Sequence, residues 1–350
     1  MPEPEFIAAR PVVRWAGQED ARFGEALLDL TVVLPAEGMD RLELRVVDVS
    51  GPDAPRPFAF DDLKLGDSVE VLMGSSSAPV SVFSGECTAL EAVLGQGAPQ
   101  LVALAEDRLH RLAKARHSRV FENATLADVV RQVASDHGLS ADCDLGLQGT
   151  WHQLGESDLA FLRRVLAARA LAPRLVSGVL TAKAPEPAAS PIALDARSNA
   201  QRVRLSADLA RQATSMSAHG YDVAQGRAVS ASASALDPAP VGASAVAELN
   251  RIGWDAGDHA LQPAVSSQAQ GDAQAQAMLA RRGAQFVSGE LTCDGNPQLR
   301  PGAGVRLAGV PSRFGGDYSV ASCVHRFDQA HGYRTLVRLA RGGLATGGSA

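Results

Sequence analysis

The sequence predicts a mainly β protein, α+β overall, in which a small α+β unit separates two β-rich regions. Three observations support this prediction. Apolar and polar residues alternate through the first third of the chain, apolar residues recur every three or four positions between residues 118 and 185, and alternating runs return after residue 190. A period of two is typical of strands with one buried face, and a period near 3.6 is typical of amphipathic helices.

The first β-rich region covers about residues 8 to 117. Its clearest strands are residues 28–34, 42–46 and 69–73, in which every second side chain is apolar. The Gly and Pro clusters between these runs are typical of turns. Short strands at this spacing indicate an antiparallel barrel or sandwich.

The middle region changes to a helical period at Leu126. Thr125 precedes this run and Asp128 follows three residues later, which is the spacing of a capping box with Asp in the Glu/Gln position. Gly138 supplies the left-handed position that commonly follows a helix. The sequence therefore predicts a helix over residues 126–137.

Three polar residues, Glu156, Ser157 and Asp158, stand where a second helix is predicted over residues 158–171. Ser is a strong N-cap residue, Asp at the first helical position complements the positive end of the helix dipole, and Glu adds to the same field. Catalysis by this acid and nucleophile would also need a base and an oxyanion site, for which the chain shows no candidate. We therefore interpret these residues as a helix start, with Ser157 and Asp158 as structural caps alongside Thr125 and Gly138.

The rest of the chain is predicted to be β-rich with an insertion. Residues 186–225 and 285–345 carry strand-like runs, whereas residues 226–284 are rich in Ala, Ser and Gln and predict one helix, about residues 271–286. A structureless stretch of that length is uncommon in a compact domain, so we interpret it as an insertion. Residues 184–191 are expected to form a linker. The strands predicted after the second helix are residues 174–183, 192–194, 200–205, 213–222, 303–308, 317–327 and 331–340.

Composition argues against several classes of function. The chain has 350 residues and a formal net charge of −6, the wrong sign for the clustered positive surface that recognises nucleic acid. Aromatic residues make up 5%, which is low for a surface that stacks sugars or bases. The four cysteines are scattered, and no apolar run reaches the roughly 20 residues of a membrane helix. We expect free thiols, no secretory signal and no membrane insertion by the chain itself.

Other candidates for chemistry are weak. Gly66-Asp67-Ser68 resembles a hydrolase block, but a strand follows it where such a serine needs a helix, so a turn explains it. Nothing in the sequence around the acid pairs Asp61/Asp62 and Glu106/Asp107 predicts the apolar pocket that would raise one pKa, so solvated loop acids are expected. None of the eight histidines has metal-ligand spacing. The sequence therefore predicts no catalytic, cofactor-binding or metal-binding residues.

Four stretches in order along the chain resemble one family. They are GECTALEAVLGQGAPQLVALAEDRLHRLA (85–113), FENATLADVVRQVASDHGL (121–139), QLGESDLAFLRRVL (153–166) and GNPQLRPGAGVRLAGVPSRFGGDYSVASCVHRFDQAHGYRTLVRLARG (295–342). Together they resemble the phage late control D proteins, the baseplate hubs of contractile phage tails and related injection systems. The resemblance extends over about residues 12 to 342.

The resemblance implies two tandem tube-type antiparallel β-barrels with a small α+β domain and an insertion in the second barrel. The first barrel would be residues 1–117, the α+β domain 118–185, and the second barrel 186–225 with 285–345, interrupted by the insertion at 226–284. It also implies a homotrimer of pseudo-sixfold symmetry, because three chains with two similar barrels each give six units.

The resemblance further implies partners. A tail tube protein is expected on one face of the ring and a threefold spike on the other, with baseplate wedge proteins as a further contact. Spike-fused relatives continue into additional domains that this sequence does not contain, so the spike is expected to be a separate protein. Assembly in the bacterial cytoplasm, into a virion tail or a contractile particle, is expected.

Two other functions stay open. One is a cell-wall hydrolase acting at the particle tip, for which Asp61/Asp62 and Glu156/Asp158 are the candidate acids. The other is a β-sandwich that binds glycans or host receptors, which the low aromatic content disfavours. Neither alternative has a motif of its own in the chain.

Overall fold

The computed structural model describes residues 10–51, 57–95, 97–183 and 190–345, so most of the predicted linker at 184–191 lies outside the described residues. The elements of the first region are β1 (Val12–Trp15), β2 (Gln18–Glu19), α1 (Ala21–Ala26), β3 (Leu27–Leu34), β4 (Arg41–Val47), β5 (Ser68–Ser75), β6 (Ala78–Val93), β7 (Gln100–Glu106) and α2 (Leu109–Leu112). Those of the middle region are β8 (Arg116–Thr125), α3 (Leu126–Asp136), β9 (Ser140–Asp142), β10 (Gln148–Ser157), α4 (Asp158–Ala167), β11 (Arg174–Val176) and β12 (Val179–Thr181). Those of the last region are β13 (Ile192–Asp195), β14 (Ala200–Ala207), β15 (Ser215–Asp222), β16 (Arg227–Ala233), β17 (Ala243–Ser244), α5 (Ala245–Ile252), β18 (Gly257–Val265), α6 (Gln268–Gly283), β19 (Val287–Asp294), β20 (Gly304–Ala308), β21 (Gly316–Asp328), β22 (Gly332–Arg341) and β23 (Gly343–Leu344).

A single 13-stranded sheet dominates the described residues. Its path runs β14-β19-β22-β21-β3-β4-β7-β6-β5-β1-β2, and β20 pairs with both β21 and β13 off this path. The two β-rich regions meet at one antiparallel ladder, between β3 and β21. The prediction of a mainly β fold is confirmed.

The two β-rich regions share one hydrophobic core. Leu30 and Val32 of β3 are fully buried, and they belong to the same cluster as Cys323 and Phe327 of β21. Each large apolar side chain removed from water in this way contributes about 1.5–3 kcal/mol to folding. The regions that the sequence analysis treats as separate units are therefore packed together through the joint between β3 and β21.

The two regions also repeat one another in topology. In the first, β3 pairs with β4, β4 with β7, β7 with β6, β6 with β5, and β5 with β1. In the second, β14 pairs with β19, β19 with β22, β22 with β21, β21 with β20, and β20 with β13. The last step differs, since β1 and β5 are antiparallel whereas β13 and β20 are parallel. Six strands thus correspond in chain order.

Both irregularities in the large-sheet ladders of the second region have counterparts in the first region, whose β5–β6 ladder has a further one without a counterpart. In its ladder with β7, β6 carries one extra residue, Thr88, and in its ladder with β22, β21 carries one extra residue, Ala321. In its ladder with β4, β3 carries an extra residue, Leu28, and in its ladder with β19, β14 carries an extra residue, Gln201. Because bulges are specific features of a strand, their agreement indicates that the two regions are structural repeats. The sequence shows no repeat that would have established this.

The α+β unit has its own core. Strands β8 and β10 pair antiparallel and lead directly into α3 and α4. At the start of α3 the Thr125 hydroxyl accepts from the Asp128 N–H, and the Asp128 carboxylate accepts from the Thr125 N–H. At its end Gly138 has a φ of +64°, and the N–H groups of Gly138 and Leu139 bond back to the last turn. Residues on the apolar faces of both helices are buried in one cluster.

The insertion differs from the prediction. The strand predicted at residues 213–222 was expected in the second barrel, but β15 instead pairs with β16 and β18 in a separate three-stranded sheet against α6. A period of two shows that a run is a strand and cannot show which sheet it joins. Helix α5 and strands β16 and β18 were not predicted, because Ala and Ser give little hydrophobic contrast. The predicted helix at 271–286 is α6, three residues earlier.

Three further elements differ from the prediction. Strand β6 has 16 residues, yet no strand was predicted there. The strand predicted at 174–183 is the hairpin of β11 and β12, which turns at Ser177 and Gly178, both with positive φ. Helix α4 ends at Ala167, not 171, and Ala170 beyond it has a φ of +54°.

Candidate functional site

The predicted helix start at Glu156-Ser157-Asp158 forms part of a buried polar cluster. The Ser157 hydroxyl accepts from the Ala160 N–H, as an N-cap does. The Asp158 carboxylate does more than face the helix dipole, because it is 1% exposed. One oxygen accepts from Arg119 at 2.8 Å and from Gln153 at 2.9 Å, and the other lies 2.8 Å from Nε2 of His137.

These partners set the protonation of Asp158. Burial by itself raises the pKa of a carboxyl group, but the hydrogen bonds from Gln153 and His137 and the positive charge of Arg119 lower the pKa of Asp158 below its usual value. The carboxylate is thus ionised and held from β8, β10 and α3 at once. Such a group joins secondary-structure elements, and its lone pairs are occupied by protein donors.

Glu156 has a separate partner. Its carboxylate binds Arg164, about two turns along α4, and this hydrogen bond lowers the pKa of Glu156. Arg164 also donates to the backbone carbonyl of His152. The carboxylates of Glu156 and Asp158 therefore bind different cations, and the structure does not bring them together as an acid–base pair.

The other sequence candidates are engaged in turns. Asp107 is buried, and burial raises its pKa, which corrects the expectation for this acid pair; its carboxylate accepts from the backbone N–H groups of Asp40 and Leu109. Asp62 binds Arg22 in an exposed ion pair. Asp67 accepts from the indole N–H of Trp15 at 2.8 Å and from the N–H of Lys64, and Ser68 begins β5. These contacts agree with the interpretation of Gly66-Asp67-Ser68 as a turn.

A nucleophile–base pair that the sequence did not indicate lies in the sheet of the insertion. Ser217 and His259 lie directly opposite each other on β15 and β18, and the Ser217 hydroxyl bonds to Nδ1 of His259. His259 is exposed and Ser217 is partly buried. The neighbouring Asp258 carboxylate binds Arg282 and the backbone N–H of His259, so it does not orient the imidazole. A cross-strand pair accounts for this contact, since catalysis needs the base to be oriented by a third group.

A second buried polar group lies beneath the joint of the large sheet. His325 on β21 is fully buried, and Nδ1 lies 2.9 Å from the Tyr333 hydroxyl and 3.3 Å from that of Thr335. Burial, together with the charge of Arg300, lowers the pKa of His325 to about 4. Alternation along the predicted strand at 317–327 was the signal that could have placed this histidine inward.

The solvent face of the large sheet carries several ion pairs. Most of them join residues on neighbouring strands, where opposite charges stabilise a sheet. The pairs are Arg45 with Asp29 and Glu43, Arg334 with Asp328, and Arg338 with Glu290. The arginines in these pairs are therefore balanced by carboxylates on the same face.

A groove of about 1430 Å³ lies between the solvent face of β14, β19 and β22 and the insertion. The arginines that line it are Arg204, Arg211, Arg281, Arg282 and Arg338. The ion pairs among its residues and their neighbours are Arg281 with Glu37, Arg282 with Asp258, and Arg338 with Glu290. Much of the positive charge in the groove is thus balanced.

The edges of the large sheet carry unpaired strands. Strand β14 pairs with β19 on one side and has no strand on the other among the described residues. Strand β6 pairs with β5 up to Glu86, and from there to Val93 it pairs only with β7. Both segments expose backbone groups that can pair with another strand.

The described residues contain no group of three or more His, Cys, Asp or Glu side chains placed to hold a metal ion. None of the described helices is long and apolar enough to cross a membrane.

Repeated strand sets in one sheet, an Asp158 cluster bonded within the protein and long free edges fit a structural assembly protein. The chain belongs to the phage tail baseplate hub family (GPD), whose model matches residues 40–331. Its role is that of a structural hub in a tail or injection particle. None of the curated proteins compared matches the sequence.

Solved structures share the fold at low sequence identity. A 43 kDa tail protein of prophage MuSo2 from Shewanella oneidensis is 14% identical with a TM-score of 0.71, covering 95% of this chain and 98% of its own. A tail protein from Neisseria meningitidis is 14% identical with a TM-score of 0.68, covering 96% and 97%. An Escherichia coli component of the type VI secretion system is 12% identical with a TM-score of 0.60, covering 90% and 73%.

Proposed function

We propose that this protein is a homotrimeric baseplate hub of pseudo-sixfold symmetry that joins a threefold spike to a sixfold tail tube. The observation that carries the proposal is the repeat within the large sheet. Each chain holds two strand sets with the same order of pairing and with bulges at matching places. Three such chains supply six similar units around a threefold axis, which is what a connector between the two symmetries needs.

The expected partners follow from this arrangement. One face of the ring binds the tail tube protein and the opposite face binds a separate spike protein, and assembly takes place in the bacterial cytoplasm. The first tube-type barrel is formed around β1 and β3 to β7, and the second around β13, β14 and β19 to β22. The α+β domain at 118–185 and the insertion, with β15 included, lie outside the ring, where baseplate wedge proteins can contact them.

The role needs packing and interfaces and no catalytic step. Two observations favour this non-enzymatic role over a cell-wall hydrolase. The carboxylates of Glu156 and Asp158 are bound to different cations, and Asp62 is bound to Arg22. A hydrolase of that kind requires two carboxyl groups facing one substrate bond, one of them with a raised pKa.

The mass of the purified protein in solution tests the proposal. We expect a trimer of the 36.4 kDa chain, alone or on mixing with its cognate tube and spike proteins, and co-elution with each partner. A chain that stays monomeric in all of these mixtures and binds neither partner contradicts the proposal. In parallel, peptidoglycan turnover that disappears in Glu156→Gln would support the hydrolase instead.

A further inference from the structure

The internal joint of the large sheet provides a template for a second joint. Strands β3 and β21 pair over six residues, from Cys323 opposite Leu34 to Asp328 opposite Asp29. In the repeat described above, β21 corresponds to β6 and β3 corresponds to β14. The counterparts of the two joined strands thus each have a free side among the described residues, and the other edge strands of the sheet, β2 and β13, are only two and four residues long.

Matching bulges set the correspondence between β6 and β21 residue by residue. Thr88 is the extra residue of β6 and Ala321 is that of β21. Counting from these positions, Leu94 corresponds to Phe327. The pairing of β6 with β5 and of β21 with β20 gives the same offset, since Glu86 and Ser319 are equivalent partners there.

The correspondence between β3 and β14 follows in the same way. Leu28 is the extra residue of β3 and Gln201 is that of β14. Val203 therefore occupies the position of Leu30. With both strands aligned, the register of the internal joint can be transferred to the free edges.

We propose that β14 of one copy of this chain pairs antiparallel with β6 of a second copy, in the register of the internal joint. The pairs are Leu90 with Ala207, Glu91 with Ser206, Ala92 with Leu205, Val93 with Arg204, Leu94 with Val203, and Gly95 with Arg202. This inference rests on the proposed hub trimer and names the strands that build it.

In the proposed pairing, the side chains that face the core are apolar on both strands, as they are in the joint of β3 with β21. In the internal joint Phe327 and Leu30 are opposite each other and buried. At the free edges the equivalent residues are apolar as well, but Leu94 is 65% exposed and Val203 is only half-buried. Pairing of the two edges removes both side chains from water and extends the shared core across the interface.

The solvent side of the register also fits. Glu91 falls diagonally across from Arg204, so opposite charges become neighbours on the outer face. The same face carries cross-strand ion pairs elsewhere, such as Arg338 with Glu290. Pairing would also cover two long edges, which are otherwise templates for uncontrolled association.

The two edges belong to different copies. Strands β14 and β6 lie seven strand spacings apart in the sheet, which is roughly 34 Å along it at about 4.8 Å per spacing. Each copy therefore offers one β6 edge and one β14 edge, and the contact is head-to-tail. Contacts of this kind form a ring when the rotation closes.

The first test places a charge at the proposed joint. Leu94→Asp changes a side chain that is exposed in the single chain, so the fold should keep its circular dichroism spectrum and melting temperature. The trimer should be lost in sedimentation. Leu154→Asp is the matched control, because Leu154 is 75% exposed on β10, away from both edges, and should stay trimeric.

The outcomes separate this inference from the proposed function. A trimeric wild type with a trimeric Leu94→Asp variant overturns the edge pairing and leaves the hub trimer standing. Dissociation of both Leu94→Asp and Leu154→Asp overturns the edge pairing as well. A wild type that is monomeric even with tube and spike proteins removes the hub trimer itself.

The second test reads the register. A chain carrying Leu94→Cys and Val203→Cys should oxidise to a covalent trimer, because the two thiols face each other across the joint on the core side. Val93→Cys with Val203→Cys is the control, since its thiols lie on opposite faces of the sheet and should not link. Equal cross-linking in both chains, or none in either while the trimer persists, overturns the register.

Discussion

Nε2 of His137 lies 2.8 Å from Oδ2 of Asp158, so the residue that ends α3 is bonded to the first residue of α4. Arg119 of β8 and Gln153 of β10 hold the other oxygen of the same carboxylate. One ionised side chain therefore connects the end of α3, the start of α4 and the strands β8 and β10. We assign this polar cluster a structural role, because the hydrogen bonds of its carboxylate are made within the protein.

Removal of this carboxylate should destabilise the α+β unit strongly. Asp158→Ala leaves Arg119 and His137 without their buried partner, and loss of one member of a buried ion pair costs about 3–5 kcal/mol. We expect a decrease in unfolding free energy of that order in urea titrations followed by circular dichroism. Glu156→Gln is the control, because its partner Arg164 is 48% exposed, and such pairs contribute about 0–1 kcal/mol. Equal losses in the two variants would contradict the role of Asp158.

Burial of His325 should make stability depend on pH. The pKa falls from an ordinary 6.5 to about 4 in the folded protein, so the unfolded chain takes up a proton first as the pH falls. The stability linked to neutral His325 is complete above pH 6.5, decreases as the pH falls toward 4, and is constant below that. The shift corresponds to about 3 kcal/mol at most.

The measurement compares wild type with His325→Asn between pH 7.5 and 4. The free energy of unfolding should fall more steeply with acid in the wild type than in the variant. The nearby Asp40 works in the opposite direction, because burial raises its pKa to about 7, and its presence in both proteins cancels in the comparison. Parallel pH curves would show that His325 is not the responsible group.

Glycine at position 220 should be essential to the insertion. A Cβ atom at Gly220 would overlap the backbone carbonyl of Val265 on the neighbouring strand β18. Overpacking commonly costs about 1–3 kcal/mol, and a backbone neighbour cannot move aside as a side chain can. We expect Gly220→Ala to increase amide hydrogen exchange in β15, β16 and β18 and to leave the large sheet protected. Gly146→Ala, where a Cβ meets nothing within 4 Å, is the control, and unchanged exchange in both variants would be the contrary result.

Local features could be predicted from the sequence, and long-range partners could not. Thr125 and Gly138 were found because a helix cap depends on residues three or four positions away. The burial of Asp158 was missed because Arg119 and Gln153 reach it from two other strands. The joint of β3 with β21 connects residues about 300 positions apart. Alternation identifies a strand but does not show which strands it pairs with. Resemblance to a family supplied the fold where pattern could not.

Substitutions of Ser157 can distinguish a helix-capping role from a catalytic role for this residue. Ser157→Ala removes the hydroxyl that accepts from the Ala160 N–H, which should lower the unfolding free energy by about 1 kcal/mol. Ser157→Asp should recover most of this loss, since Asp is an equally good N-cap and its charge complements the helix dipole. Thermal unfolding of the three proteins measures the effect. A catalytic serine would give a different pattern, because Ser157→Asp would then lose turnover of cell-wall substrate as completely as Ser157→Ala while restoring the melting temperature.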